Sequence, residues 1–247
     1  MTTKRCVAAA CLGLVVLRLA TGCDRLPGKP KAAARWMVPA QVTDFTQLYA
    51  QNCAGCHGVD GRLGAARPLH DPLYLTLVGT DGLRQVIAEG VPGTAMPAFA
   101  EHASGSLTDA QIDILIAGMQ SRWGRPDAVQ DATLPPYRHE AGDAQRGATV
   151  YTTFCARCHG EAGRGGAQGG SIVDPNYLAL VSDQHLRTTV ITGRPDRGKP
   201  DWRANVPRQP MPPQDIADVV AWLAAQRQSL AARASSAPQT TRARQAP

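Results

Sequence analysis

Aromatic side chains are scarce in this chain, at twelve of 247 residues. Hydrophobic residues still reach 43%, so a core can form, but something other than Phe and Trp must help to fill it. Gly and Pro number 24 and 19, below the level that marks disorder throughout. No run alternates apolar and polar residues for long enough to argue a sheet, which leaves an all-α chain. Acids are missing from both ends. The first 22 residues hold Lys4, Arg5 and Arg18 but no acid; the last 22 hold Arg227, Arg233, Arg242 and Arg244 but no acid. Those seven charges outweigh the net +6 of the whole chain, so the stretch between carries −1. The basic character belongs to the ends, and a nucleic-acid binder, which needs a basic face on the fold itself, is excluded. The Gly-rich run Gly163–Gly170 lacks the Gly-Lys-Ser/Thr of a phosphate loop. No paired-carboxylate or Ser-His-Asp constellation stands out.

The start of the chain reads as an address. Lys4-Arg5 precedes an apolar stretch, Cys6 to Ala20, broken by Arg18. That is too short and interrupted for a transmembrane span and suits a secretory signal over residues 1–22. Ala20-Thr21-Gly22 supplies the small residues of a cleavage site, and Cys23 follows. The run Leu19-Ala-Thr-Gly-Cys23 resembles a bacterial lipobox, with Ala20 where the usual Leu stands. Acylation of Cys23 would anchor the chain, and Asp24 resembles an inner-membrane retention signal. The competing reading is an ordinary signal peptide with an incidental Cys. Export to the periplasmic face of a bacterial inner membrane is the expectation, with residues 23–42 as tether.

Seven cysteines are present. Beyond Cys6, Cys11 and Cys23, four form two pairs, Cys53-Ala-Gly-Cys56-His57 and Cys155-Ala-Arg-Cys158-His159. C-x-x-C-H is the pattern of c-type haem attachment. Two thiols on one helical turn reach the two vinyl groups of one porphyrin, and the next residue, His, is set beneath the iron. A disulfide reading leaves both histidines unexplained. A zinc ribbon wants its knuckles about 15–20 residues apart, and these begin 102 residues apart.

The two motifs open matching segments. Tyr49 and Tyr151 each lie four residues before the first Cys; Asp71-Pro72 matches Asp174-Pro175, Leu83-Arg84 matches Leu186-Arg187, Gly90 matches Gly193, and Phe99 matches Trp202. The offset moves only from 102 to 103. Each copy ends in an amphipathic helix: Asp109 to Met119, with Thr108 as N-cap, and Gln214 to Gln226, after Pro212-Pro213. Each repeat is near 80 residues, and porphyrin supplies the apolar volume that so short a core lacks. Domains are expected at 43–123 and 143–228, joined by a linker at 124–142 and followed by a disordered tail at 229–247.

These residues resemble a dihaem c-type cytochrome made of two class I cytochrome c domains. The first half carries the resemblance most closely, through Cys53-x-x-Cys56-His57-Gly58, Gly90-Val-Pro-Gly-Thr-Ala-Met96-Pro97 and Leu107-Thr108-Asp109. The resemblance implies two tandem helical domains, each wrapped around one covalently bound haem c, with His57 and His159 as proximal ligands and Met96 as the sixth ligand of the first haem. The second half departs from the pattern. Counting forward from Met96 lands on Lys199, while the nearest methionine is Met211, in Pro210-Met211-Pro212. Position favours Lys199 and ligand chemistry favours Met211; an open site is the third option. His185, His139, His70 and His102 read as surface histidines.

The function implied is single-electron transfer between a membrane donor and an acceptor, with a membrane respiratory complex or soluble redox proteins as partners. The alternative is a dihaem redox enzyme, of peroxidase or sulfur-compound dehydrogenase type, working at an unusual second haem.

Overall fold

The computed structural model describes residues 37–129, 132–138 and 140–236, with side chains to residue 227. The signal stretch, Cys23, the tether up to residue 36, His139 and the tail beyond Ser236 lie outside the described residues. Among the described residues, those from Met37 to Gln41 lie outside the main unit and include a 3-10 turn at Pro39–Gln41; those from Val42 belong to the main unit. The described residues are helical and contain only isolated bridges between loop residues.

Four helices build the first half: α1 (Phe45–Asn52), α2 (Ala54–His57), α3 (Pro72–Glu89) and α4 (Asp109–Trp123). Five build the second: α5 (Ala144–Phe154), α6 (Ala156–His159), α7 (Pro175–Leu180), α8 (Asp183–Thr192) and α9 (Pro213–Ser236). The repeat is visible in the caps. Asp44 and Asp143 accept backbone N–H bonds at the starts of α1 and α5. Asp71 and Asp174 do the same for α3 and α7, each followed by a proline whose fixed φ suits the first helical position. Thr108 and Gln111 form a capping box on α4. Helix α3 bends at Gly79, where φ is +66°; the second half breaks outright at Val181, separating α7 from α8.

The helical periodicity works as expected. Ile112, Leu115, Ile116 and Met119 on α4 are buried, as are Ile216, Val219, Val220 and Leu223 on α9. Each half crosses its first helix over its last at a glycine. A Cβ on Gly118 of α4 would fall 2.0 Å from the Phe45 ring of α1. On Gly147 of α5 it would fall 2.1 Å from the Asp218 carbonyl of α9. The second crossing also carries a polar clamp. Buried Asp218 accepts from the Asp143 N–H (2.7 Å), Arg146 Nε (2.8 Å) and Gln214 Nε2 (2.9 Å). These bonds hold its carboxyl down at about 2, the Arg146 bond most of all.

Two elements run beyond their expected ends. Helix α4 continues to Trp123, whose ring packs edge-on against Tyr49 at 5.2 Å. Helix α9 continues through the expected start of the tail at 229 to Ser236. The added segment, Ser229-Leu-Ala-Ala-Arg-Ala, is rich in good helix formers, and Pro238 follows.

The halves dock within the main unit. Leu73 and Leu77, on one face of α3, join a second-half core of Val150, Tyr151, Phe154, Ile191 and Met211. Linker residues Val129, Leu134 and Tyr137 pack onto the same core. Helix α8 fastens the linker: Gln184 Nε2 donates to the Tyr137 carbonyl and Arg187 Nε to that of Pro136.

Candidate cofactor sites

Each C-x-x-C-H motif sits at a junction of two helices. The Cys53 N–H donates to the Tyr49 carbonyl at the end of α1, while the Cys53 carbonyl accepts from His57 at the end of α2, both at 2.9 Å. Cys155 repeats this, donating to Tyr151 at 2.9 Å and accepting from His159 at 3.0 Å. The single helical turn thus sets the two sulfurs and the imidazole of each motif on one short, rigid stretch. Tyr49 and Tyr151 brace these stretches with their hydroxyls, which donate to the carbonyls of Gly58 (3.1 Å) and Gly160 (2.5 Å). Both glycines need positive φ, and a Cβ on either would strike a carbonyl oxygen within about 2 Å (Arg62 at 1.8 Å, Gly165 at 2.0 Å).

None of the four motif cysteines is paired in a disulfide. Burial, with a smaller contribution from the neighbouring Cys, pushes Cys53 up to about 11 and Cys155 up to about 12, so both stay neutral at physiological pH. The imidazoles are held alike. His57 Nδ1 lies 2.7 Å from the Arg67 carbonyl and His159 Nδ1 lies 2.8 Å from the Gly170 carbonyl. A carbonyl can only accept, so Nδ1 carries the proton and the Nε2 lone pair is left for a metal. Burial lowers the His57 pKa, partly opposed by that same bond, which keeps the ring neutral as a ligand must be.

The strap after α3 and the strap after α8 are closed by matching backbone bonds. Val91 N–H donates to the Met96 carbonyl at 3.0 Å, and Arg194 N–H to the Lys199 carbonyl at 3.2 Å. Leu107 N–H donates to the Phe99 carbonyl at 2.8 Å, and Met211 N–H to the Trp202 carbonyl at 2.9 Å. Met96 is half-buried, and so is Lys199, whose Nζ donates to the Gln168 carbonyl in the loop after the second motif. Met211 is 2% exposed, inside the second-half core.

Residues 40–117 match the family described as cytochrome c oxidase, cbb3-type, subunit III, and residues 144–227 match the family cytochrome c. The chain carries two cytochrome c domains in tandem. The cytochrome c subunit of the cytochrome bc1 complex of Mycobacterium tuberculosis is 27% identical over 194 residues, covering 77% of this chain and 68% of that one. Subunit CcoP of the cbb3-type cytochrome c oxidase of an Azospirillum species is 30% identical over 164 residues, 59% of this chain and 51% of that one. A dihydro-heme d1 dehydrogenase of Pseudomonas aeruginosa is 43% identical over 70 residues, which are 28% of this chain and 13% of the enzyme.

Cytochrome c domains hold covalently bound haem c. The residues of this cytochrome fit that group by an observation independent of the motifs. Arg67 is 8% exposed, and its Nε has no hydrogen-bond partner. A buried, unpartnered guanidinium donor on the residue whose carbonyl holds His57 Nδ1 suits a porphyrin carboxylate. The other guanidinium nitrogens cross to the second domain, donating to Thr192 Oγ1 (2.8 Å) and Thr189 Oγ1 (2.7 Å). Asp71 Oδ2 lies 4.0 Å away, and burial pulls the Arg67 pKa down against that neighbour's charge.

His185 is not the surface histidine expected. It is half-buried on α8, and its pKa falls to about 4, first through burial and then through the charges of Arg67 and Arg194. Nothing local to His185 signals this, because Arg67 lies 118 residues away. Arg67 itself was equally silent; its counterpart in the repeat is Gly170.

Proposed function

We propose that this chain holds two haems, one per domain, and serves as an electron-transferring haem subunit of a membrane respiratory complex. Haem c supplies a one-electron couple at its iron. The polypeptide's part is to hold, orient and shelter each porphyrin. Cys53 and Cys56 would fasten one and Cys155 and Cys158 the other, through thioether bonds. His57 and His159 present Nε2, aimed by the Arg67 and Gly170 carbonyls. Met96, in the first strap, offers a soft thioether as sixth ligand, which favours the ferrous state. The apolar walls exclude water and limit reorganisation around each iron. The observation that carries this reading is the duplicated motif turn, with both imidazoles oriented identically, inside two cytochrome c domains.

The relatives named as subunits of the bc1 complex and of the cbb3-type oxidase support a respiratory partner. The dehydrogenase match spans too little of that enzyme to bring its activity here. No helix among the described residues is long and apolar enough to cross a membrane. We propose that a signal over residues 1–22 exports the chain and that acylated Cys23 ties it to the periplasmic face of the inner membrane. Cys23→Ser should then release it from washed membranes.

Protein matured in a host competent for c-type cofactor attachment tests the central reading. Under denaturing conditions its mass should exceed that of the polypeptide by two porphyrins, and reduced protein should be oxidised by membranes of its own host. A bare polypeptide mass overturns the proposal.

A further inference from the structure

The two straps share an opening glycine and closing backbone bonds, but not the residue at the ligand position. Gly90 and Gly193 open them with positive φ, and a Cβ on either would meet the carbonyl of the residue at the ligand position, 2.7 Å from that of Met96 and 2.6 Å from that of Lys199. With the Val91–Met96 and Arg194–Lys199 bonds, this puts Lys199 in the slot of Met96. Met211 occupies a different slot, that of Leu107. Each closes a bond back to the aromatic residue of its strap, and each is almost fully buried, at 4% for Leu107 and 2% for Met211. A methionine replacing leucine in a packed core is a filler of similar volume.

On the haem reading above, we propose that Lys199, rather than Met211, is the sixth ligand of the second haem. Three observations converge. The position is that of the first domain's thioether. The amine already reaches toward the second motif: Lys199 Nζ donates to the Gln168 carbonyl, in the loop that leads to Gly170, whose carbonyl holds His159 Nδ1. The chain also chooses lysine here against its habit. Its 26 basic residues include only four lysines, and after Lys31 the only one is Lys199. Arginine cannot give up a proton to become a ligand, whereas an amine can. On binding, the Nζ lone pair forms the bond to iron, one proton leaves to water, and no atom changes oxidation state. A nitrogen donor favours the ferric state more than a thioether does, so the second haem lies below the first in potential and electrons pass from the second domain to the first.

The test compares ferric holoprotein with Lys199→Met, Lys199→Ala and Met211→Leu, by EPR and by the near-infrared charge-transfer band of thioether-ligated haem. The native chain should show that band for one haem only, beside a low-spin signal from nitrogen on both axial sides. Lys199→Met should double the band. Lys199→Ala should turn one haem high-spin or let it bind cyanide many-fold faster. Met211→Leu should leave the spectra unchanged. Two thioether bands in the native chain, one lost in Met211→Leu, overturn the assignment while leaving the haem reading intact; so does a Lys199→Ala spectrum identical to native. The intact mass separates the two claims, since a chain without porphyrins overturns both.

Discussion

The first and second domains share a motif turn, a tyrosine brace, a strap backbone and a helix crossing, yet differ wherever a single side chain can change chemistry without changing shape. The first places Met96 in its strap, Arg67 beside its histidine and an aromatic ring at its crossing. The second places Lys199, Gly170 and the Asp218 clamp at those places. The backbone that presents a cofactor is therefore a fixed frame, and the side chains hung on it set charge, ligand and docking. The asymmetry also has a direction. The first domain sends Arg67, Leu73 and Leu77 into the second.

The largest effect should come from breaking one motif at a time. Cys53→Ser with Cys56→Ser should cost one porphyrin in the intact mass and leave the second domain's spectrum in place, and the mirror pair at Cys155 and Cys158 should do the converse. Loss of both porphyrins from either pair would mean that the domains do not hold their cofactors separately. Next, Asp218→Ala should lower the denaturation free energy of the holoprotein by about 2 kcal/mol, because it removes the buried acceptor shared by Arg146, Gln214 and the Asp143 backbone N–H. A loss below about 1 kcal/mol would mean that the clamp is idle.

The sequence disclosed the elements better than their company. Both motifs, the 102-to-103 offset and the apolar faces of α4 and α9 were legible because they are local: spacing on one turn, or period on one helix. Docking was not. Leu73 and Leu77 read as ordinary helix positions, and nothing local says which core an apolar side chain joins. The linker read as a Pro-rich connection, although Val129, Leu134 and Tyr137 pack into the second domain. His185 read as a surface residue because its burial is tertiary and one of the two charges that act on it, Arg67, comes from the other domain. The ligand position of the second domain was half legible. Repeat counting reached Lys199, but the case for proposing it over Met211 needed the structure, in which the Met211 backbone bond matches that of Leu107.

Acid titration sharpens the docking asymmetry. The folded-state pKa of His185 lies below its ordinary 6.5, so the unfolded chain takes up that proton first. Stability should be full above about pH 6.5 and decline, by on the order of 2 kcal/mol, as pH falls toward 4. His185→Gln should flatten that window while leaving the lower one set by Asp218, whose contribution is present above about pH 4 and is lost as pH falls toward 2. An unchanged slope between 6.5 and 4 would mean that His185 is solvated. The smallest effect belongs to Arg67→Met, which removes two bonds to Thr189 and Thr192 and should cost about 1–2 kcal/mol. It should also perturb the first haem's spectrum more than the second's; equal perturbation of both would remove the carboxylate role.

An optically monitored redox titration of the intact holoprotein tests the account most directly. Two one-electron waves of equal amplitude should appear, the upper one falling in Met96→His and the lower one rising in Lys199→Met. A single wave for both irons, or two waves that answer to neither substitution, would contradict it.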